Sequence, residues 1–231
     1  NIVGVDMHIG SQILHIKPFK SSFKKIENFC KKLEKNNIKI KNIDLGGGLG
    51  VNYSSKKIKD ITDEYTKLVK EISLRTNKKI IIEPGRFIVA NAGILVTKIL
   101  YKKYNDEKNF IIVDAGMNDF LRPALYDAKH LVKQLNLDTD KYKKEYFDVV
   151  GPICETADVI MENTKLNKNI ERGEFLFVEK VGAYGSTMSS TYNSRGLISE
   201  VLVSKNMFFE IRKKMQEDDF LKLEKLPSWI N

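Results

Sequence analysis

Three short polar stretches could do chemistry by the types and spacing of their side chains. They are "HIGSQ" (residues 8–12), "GGGLG" (46–50) and "EPGR" (83–86), and an apolar, strand-like run precedes each one. His8 offers a ring to stack, Ser11 a hydroxyl, Glu83 a carboxylate and Arg86 a planar fork suited to a phosphate or carboxylate. Gly46, Gly47 and Gly48 have no side chains, so their N–H groups can come close to an anion. Taken alone, that glycine run is more often a tight turn. "GGGLGV" does not complete GxGxxG, and GxxxxGK[ST] occurs nowhere, so dinucleotide and P-loop readings fail on spacing.

The elements that must hold these stretches follow from hydrophobic periodicity. Residues 2 to 9 read as a buried strand. Pro18 then opens a helix with Phe19, Phe23, Ile26, Phe29 and Leu33 at three- and four-residue spacing. A second strand runs from Ile38 to Leu45, and a second helix carries Ile61, Tyr65, Leu68 and Ile72 on one face. The third strand is "KIIIE", ending at Glu83. Continuous apolar strands alternating with helices pair in parallel, and such folds carry their sites at the carboxyl ends of the strands. All three polar stretches occupy that position.

Beyond residue 90 the pattern turns to strands: "ILVTKILYKKY", "NFIIVDAG", "YFDVVGPIC", "EFLFVEKVGAYG" and "ISEVLV". The tail "MFFEIRKKMQEDDFLKLEKL" reads as helical. The division is therefore an α/β part at 1–89 and a β-rich domain with a terminal helix at 90–231, with no internal repeat and no low-complexity linker.

Composition narrows the class. The 231 residues are 42% hydrophobic and 30% charged, which is globular, and no apolar run reaches the roughly 20 residues of a membrane helix. The net charge of +9 comes from lysines scattered over helices and loops, without an arginine cluster or aromatic platform. That describes a solvated surface rather than a nucleic-acid site. Two distant cysteines, Cys30 and Cys154, give neither a disulfide framework nor a metal-ligand spacing, and they fit a reducing cytoplasm.

"HIGSQI", "IDLGGGLG", "EPGRFIVANAG", "LRPALY", "GPICET" and "GAYGSTMSSTYN" occur in that order. Together they resemble the pyridoxal-phosphate-dependent decarboxylases of ornithine, diaminopimelate and arginine, with the alanine-racemase-like fold. The resemblance runs from the first residue to about Val203. It implies α/β plus all-β architecture: the last three β/α units (strands 6–8) of a (β/α)8 TIM-like barrel, then a C-terminal β domain. The N-terminal part of the barrel is expected to be missing, together with the lysine that forms the Schiff base with the cofactor. On that expectation the chain alone is inactive, and its first strand is left with an unpaired, apolar edge.

The resemblance also assigns roles. Pyridoxal 5'-phosphate is the implied cofactor, and no metal is implied. His8 would stack on its ring, while Ser11, Gly46, Gly47, Gly48, Tyr184 and the Pro84-Gly85-Arg86 turn would hold its phosphate. Glu83 would pair with the pyridine nitrogen; its alternative is an ion pair with Arg86. Cys154 would return a proton to the substrate carbon. Arg122, Tyr126, Glu155, Arg86 and Tyr184 would bind substrate. The Arg122/Tyr126 and Cys154-Glu155 set marks the diaminopimelate-specific members, since that substrate has a carboxylate and an ammonium at its far end. The alternatives are ornithine, lysine or carboxynorspermidine as substrate, or a non-catalytic homologue. A homodimer with shared active sites is implied as well.

Overall fold

The structure is a computed structural model and describes residues 2–56, 58–135 and 143–230. It divides into two compact units, Asn1–Gly93 and Ile94–Asn231.

The first unit contains β1 (Gly4–Asp6), α1 (Ile16–Lys35), β2 (Asn42–Asp44), α2 (Thr62–Thr76), β3 (Lys79–Ile81) and α3 (Gly85–Val89). The strands form a parallel sheet in the order β1-β2-β3. They are three consecutive β/α units of a partial TIM-like barrel. Each strand is only three residues long, well inside the runs read from the sequence at 2–9, 38–45 and 79–83. The missing ladder positions lie mostly at the strand ends, where the chain leaves the sheet to build the polar stretches.

Packing explains the two long helices. Phe19, Phe23, Ile26 and Cys30 are the buried stripe of α1, at spacings of four, three and four. Cys30 occupies the last core position, and the expected Phe29 is instead 51% exposed. The helix also begins two residues before Pro18, which sits in the first turn, where a missing N–H costs nothing. Tyr65, Leu68 and Ile72 face inward from α2, as expected. Tyr65 packs edge-on against Phe19, with centroids 4.9 Å apart, and against Phe23 at 6.1 Å. Glu27, nearly buried, joins the helices through Arg75 at 3.1 Å and also meets Lys31 at 3.1 Å. Among the described residues β1 and β3 each pair only with β2, and Ile2 and Val3 stand exposed beside β1.

The second unit is a sheet domain: β4 (Leu95–Tyr104), β5 (Asn109–Val113), α4 (Arg122–Tyr126), β6 (Val132–Gln134), β7 (Lys144–Val150), β8 (Val159–Asn167) and β9 (Phe175–Val178). The six strands run in the order β6-β9-β4-β5-β7-β8, antiparallel except for β5 against β7. The edge strands meet where Asn167 N donates to Gln134 Oε1 at 2.8 Å, so the sheet curls almost into a barrel. Leu95, Thr97 and Ile99 of β4 point inward and alternate with exposed neighbours. Leu95 and Ile99 join Ile111, Phe147, Val149 and Leu176 in the core.

The tail corrects the sequence reading. Met207–Arg212 is a strand, β11, hairpin-paired with β10 (Glu200–Ser204), and only α5 (Glu217–Leu221) is helical. Lys205 takes a positive φ of 54° in the two-residue turn between the strands, where no Gly or Asn-Gly signal marks it. β6 and β8 were also missed, because β6 has three residues and β8 is interrupted by polar positions. No helix among the described residues is long and apolar enough to cross a membrane.

Candidate active site

In the first unit, backbone hydrogen bonds continue past the strands and tie their ends together. Met7 N donates to Asp44 O at 3.2 Å, Leu45 N to Ile81 O at 2.9 Å and Glu83 N to Gly46 O at 2.9 Å. The glycine run lies at the centre of this arrangement. A Cβ on Gly46, Gly47 or Gly48 would stand 2.3 Å from the carbonyl oxygen of Met7, Glu83 or Gly10 respectively, an impossible approach. Gly46 and Gly48 also have φ of 66° and 94°. The glycines therefore let three strand ends meet in one place.

Two of the three glycine amides are turned onto protein groups. Asp44 Oδ1 accepts from Gly46 N at 2.9 Å, and His8 Nδ1 accepts from Gly47 N at 3.4 Å. The second bond requires His8 Nδ1 to be unprotonated, and it holds the ring beside the glycines. Arg86 donates from Nη2 to Ser11 Oγ at 3.1 Å and from Nη1 to Tyr53 Oη at 3.2 Å. Its guanidinium also lies 5.9 Å from the Tyr53 ring centroid. Glu83 is exposed and, among the described residues, makes no ion pair with Arg86 or any other cation. His8, Ser11, the glycines, the Glu83 backbone and Arg86 thus converge, with Pro84 and Gly85 forming the turn into α3.

Gln12 and Tyr53 were not picked out from the sequence. Gln12, at φ 60°, clasps Val51 through both ends of its amide, Nε2 to O at 2.6 Å and Oε1 from N at 3.1 Å. The "HIGSQ" and "GGGLG" loops are thereby fixed to each other.

The second unit holds the other expected residues. Arg122, the first residue of α4, is only 6% exposed. Its Nη1 donates to Ala183 O at 3.5 Å, and the guanidinium sits 5.7 Å from the Tyr184 ring centroid. Tyr184 takes a left-handed φ of 65°, followed by Gly185, where a Cβ would come 2.4 Å from Val181 O. Arg122 and Tyr184 are therefore brought together. Tyr126, one turn further along α4, is 64% exposed. Cys154 and Glu155 lie exposed on the turn between β7 and β8.

Two buried acids organise the polar segments around these residues. Asp119 Oδ2 accepts from Gly116 N at 2.9 Å and lies 3.8 Å from Arg195 Nη2. Asp158 accepts from Met117 N at 2.6 Å and from Ile153 N at 2.7 Å. Burial pushes both carboxyls above the usual aspartate range, and these amide donors offset only part of it. A cleft of about 850 Å³ elsewhere in this unit runs between Asn193–Gly196 and Lys214–Gln216, and no expected site residue lines it. Among the described residues no cluster of His, Cys, Asp and Glu could hold a metal ion.

Comparison with known proteins fits this architecture. Residues 22–182 match the family model described as pyridoxal-dependent decarboxylase, C-terminal sheet domain. The chain is 42% identical to diaminopimelate decarboxylase of Aquifex aeolicus over 217 residues, covering 94% of this chain and 51% of that protein. It is 40% identical to the Haemophilus influenzae enzyme of the same name over 223 residues, covering 96% and 53%. Among solved structures, diaminopimelate decarboxylase from Helicobacter pylori complexed with L-lysine gives a TM-score of 0.87 at 40% identity, covering 96% of this chain and 54% of that one. The corresponding M. jannaschii structure, also with L-lysine, gives 0.91 at 36% identity, covering 98% and 52%. The chain spans about half the length of the relatives it matches. It belongs to the pyridoxal-dependent decarboxylase family, matching the model of that family's C-terminal sheet domain.

Proposed function

We propose that this chain is part of an enzyme that decarboxylates meso-2,6-diaminopimelate to L-lysine and carbon dioxide, the last step of lysine synthesis. The first unit contributes a piece of the cofactor-binding barrel and the second is the C-terminal β domain. The observation that carries the substrate assignment is Arg122 held against Tyr184 in the same unit as the Cys154-Glu155 turn. A buried guanidinium suits a distal carboxylate, which ornithine and lysine lack. The L-lysine in the H. pylori and M. jannaschii structures is the product this reaction would yield.

The residues of the first unit fit pyridoxal phosphate. Ser11 and Arg86, hydrogen-bonded side by side, offer a hydroxyl and a guanidinium to a phosphate. The Gly46–Gly48 run, which no side chain can fill, brings backbone close to it. Glu83, exposed and outside any ion pair among the described residues, is available to hold a proton on a pyridine nitrogen. His8, held by Gly47, offers a ring face. The bound cofactor supplies an electron sink for the pair released with carbon dioxide. Cys154 then carries the proton delivered to the α-carbon, and Glu155 takes the distal ammonium.

Both cysteines are free, as suits a cytoplasmic enzyme. We further read the working form as a homodimer in which the Cys154-Glu155 turn completes the partner's site. Arg122→Ala in the cofactor-loaded enzyme carrying this chain is expected to cut kcat/KM for diaminopimelate about 100-fold, with much less effect on lysine turnover. Equal losses would remove Arg122 from the distal carboxylate. Turnover of ornithine with none of diaminopimelate would reject the substrate.

A further inference from the structure

The turn bearing Cys154 and Glu155 directs backbone, not side chains, at its own interior. Asp158, 3% exposed, fills that interior. Its Oδ2 accepts from Ile153 N, the residue before Cys154, and its Oδ1 accepts from Met117 N, 41 positions away. The backbone closes round the same residue: Gly151 N donates to Asp158 O at 2.9 Å, and Asp158 N to Glu155 O at 3.1 Å. Gly151 makes room for it, since a Cβ there would stand 2.3 Å from Oδ2.

Met117 belongs to a second turn, closed where Asp119 N and Phe120 N both donate to Gly116 O at 2.9 and 3.0 Å. That turn leads directly into α4 and Arg122. One carboxylate therefore ties the segment carrying Cys154 and Glu155 to the segment carrying Arg122. Arg195 lies within ion-pair distance of Asp119 and acts on Asp158 only through space, as the smallest influence after burial and the two amides, so what Asp158 touches is backbone N–H groups.

We propose that Asp158 is a positioning residue, setting Cys154 and Glu155 against Arg122 through backbone amides without touching substrate. The roles of those three residues rest on the decarboxylase reading; the hold exerted by Asp158 does not.

Three variants separate this role from plain structural support. Asp158→Asn keeps the shape but turns an amide donor toward one of the two N–H groups. Gly151→Ala displaces the carboxylate from its other side and leaves its chemistry intact. Asp148→Asn is the control, a buried acid of β7 that accepts from Lys108 Nζ and Asn163 N. In amide NMR spectra of the chain, the Met117 and Ile153 signals should titrate together, with one midpoint above the ordinary 3.8 of aspartate. Asp158→Asn should abolish both titrations.

In the cofactor-loaded enzyme carrying this chain, Asp158→Asn and Gly151→Ala should each lower kcat for diaminopimelate about tenfold, and Asp148→Asn less than about twofold. Cys154→Ala/Asp158→Asn should be slower than Cys154→Ala by clearly less than the roughly tenfold that Asp158→Asn costs alone, because part of what Asp158 does passes through Cys154. Separate titration of the two amides, a loss in the control equal to that in Asp158→Asn, or multiplying losses in the double variant would each overturn the proposal. An enzyme that leaves diaminopimelate untouched would sink the functional reading alone, and the amide titration would still decide whether Asp158 holds both turns.

Discussion

The two units place their polar groups with a different emphasis. In the first, the glycine run has no side chains, and strand ends approach until no Cβ fits between carbonyls. Its buried acid, Glu27, is answered by cations, Arg75 and Lys31. In the second unit, where Asp148 is likewise answered by Lys108, two further buried acids spend their oxygens mainly on backbone amides. Asp119 and Asp158 reach into turns and accept amides that the sheet leaves unmatched. The difference teaches that two kinds of substitution disturb such a protein: adding volume where backbone meets backbone, and removing an acceptor where a carboxylate meets an amide.

The largest expected effect comes from adding volume to the first unit. Gly47→Ala should destabilise it by about 3 kcal/mol, because the methyl meets the rigid backbone of Glu83 rather than a side chain that can swing away. Urea unfolding followed through amide signals of α1 and α2 measures this. A loss under about 1 kcal/mol would show that the strand ends yield, and the contrast with the second unit would weaken.

Charge gives a smaller effect. Glu27→Gln should cost the first unit about 1 kcal/mol, since Arg75 and Lys31 are half in water and screening reduces what the pairs contribute. The same unfolding experiment in high salt should shrink the difference between wild type and variant. A salt-independent loss would mean that Glu27 acts by packing, as the acids of the second unit do by hydrogen bonding.

Sequence made the first unit easier to read, for a physical reason. Its helices have one wet and one dry face, so Tyr65, Leu68 and Ile72 declare themselves by period, and the strand ends by their glycines. The exchange of Phe29 for Cys30 in the core shows the limit, because neighbouring apolar residues differ by one helical step that hydrophobicity cannot rank. In the second unit β11 carries apolar residues at 207, 208, 209 and 211, a pattern that serves a helix or a strand, and pairing with β10 decides it. Cys154, Glu155 and Arg122 were marked by the resemblance of "GPICET" and "LRPALY" to the decarboxylase family, not by residue type alone. Asp158 was not, since one acid in "CETAD" carries no sign that its partners are backbone amides, one of them 41 residues distant.

Acidification should separate the units most finely. Burial pushes the Glu27 carboxyl up, yet hydrogen bonds from Lys31 and Arg75 outweigh it and hold the group below its ordinary 4.5. Its contribution is thus fully present above pH 4.5 and lost as pH falls through the depressed folded value. Asp119 and Asp158 run the other way, because burial raises both above 3.8. Their folded forms take up protons before the unfolded chain does, so they add stability as pH falls from neutrality toward 3.8. Unfolding at a series of pH values, read unit by unit, should therefore show Glu27→Gln flattening the acid-side loss in the first unit and Asp158→Asn flattening the gain in the second. If both variants shifted the pH slope in the same direction, the two ways of holding a buried acid would be one, and the contrast between the units would be confined to their glycines.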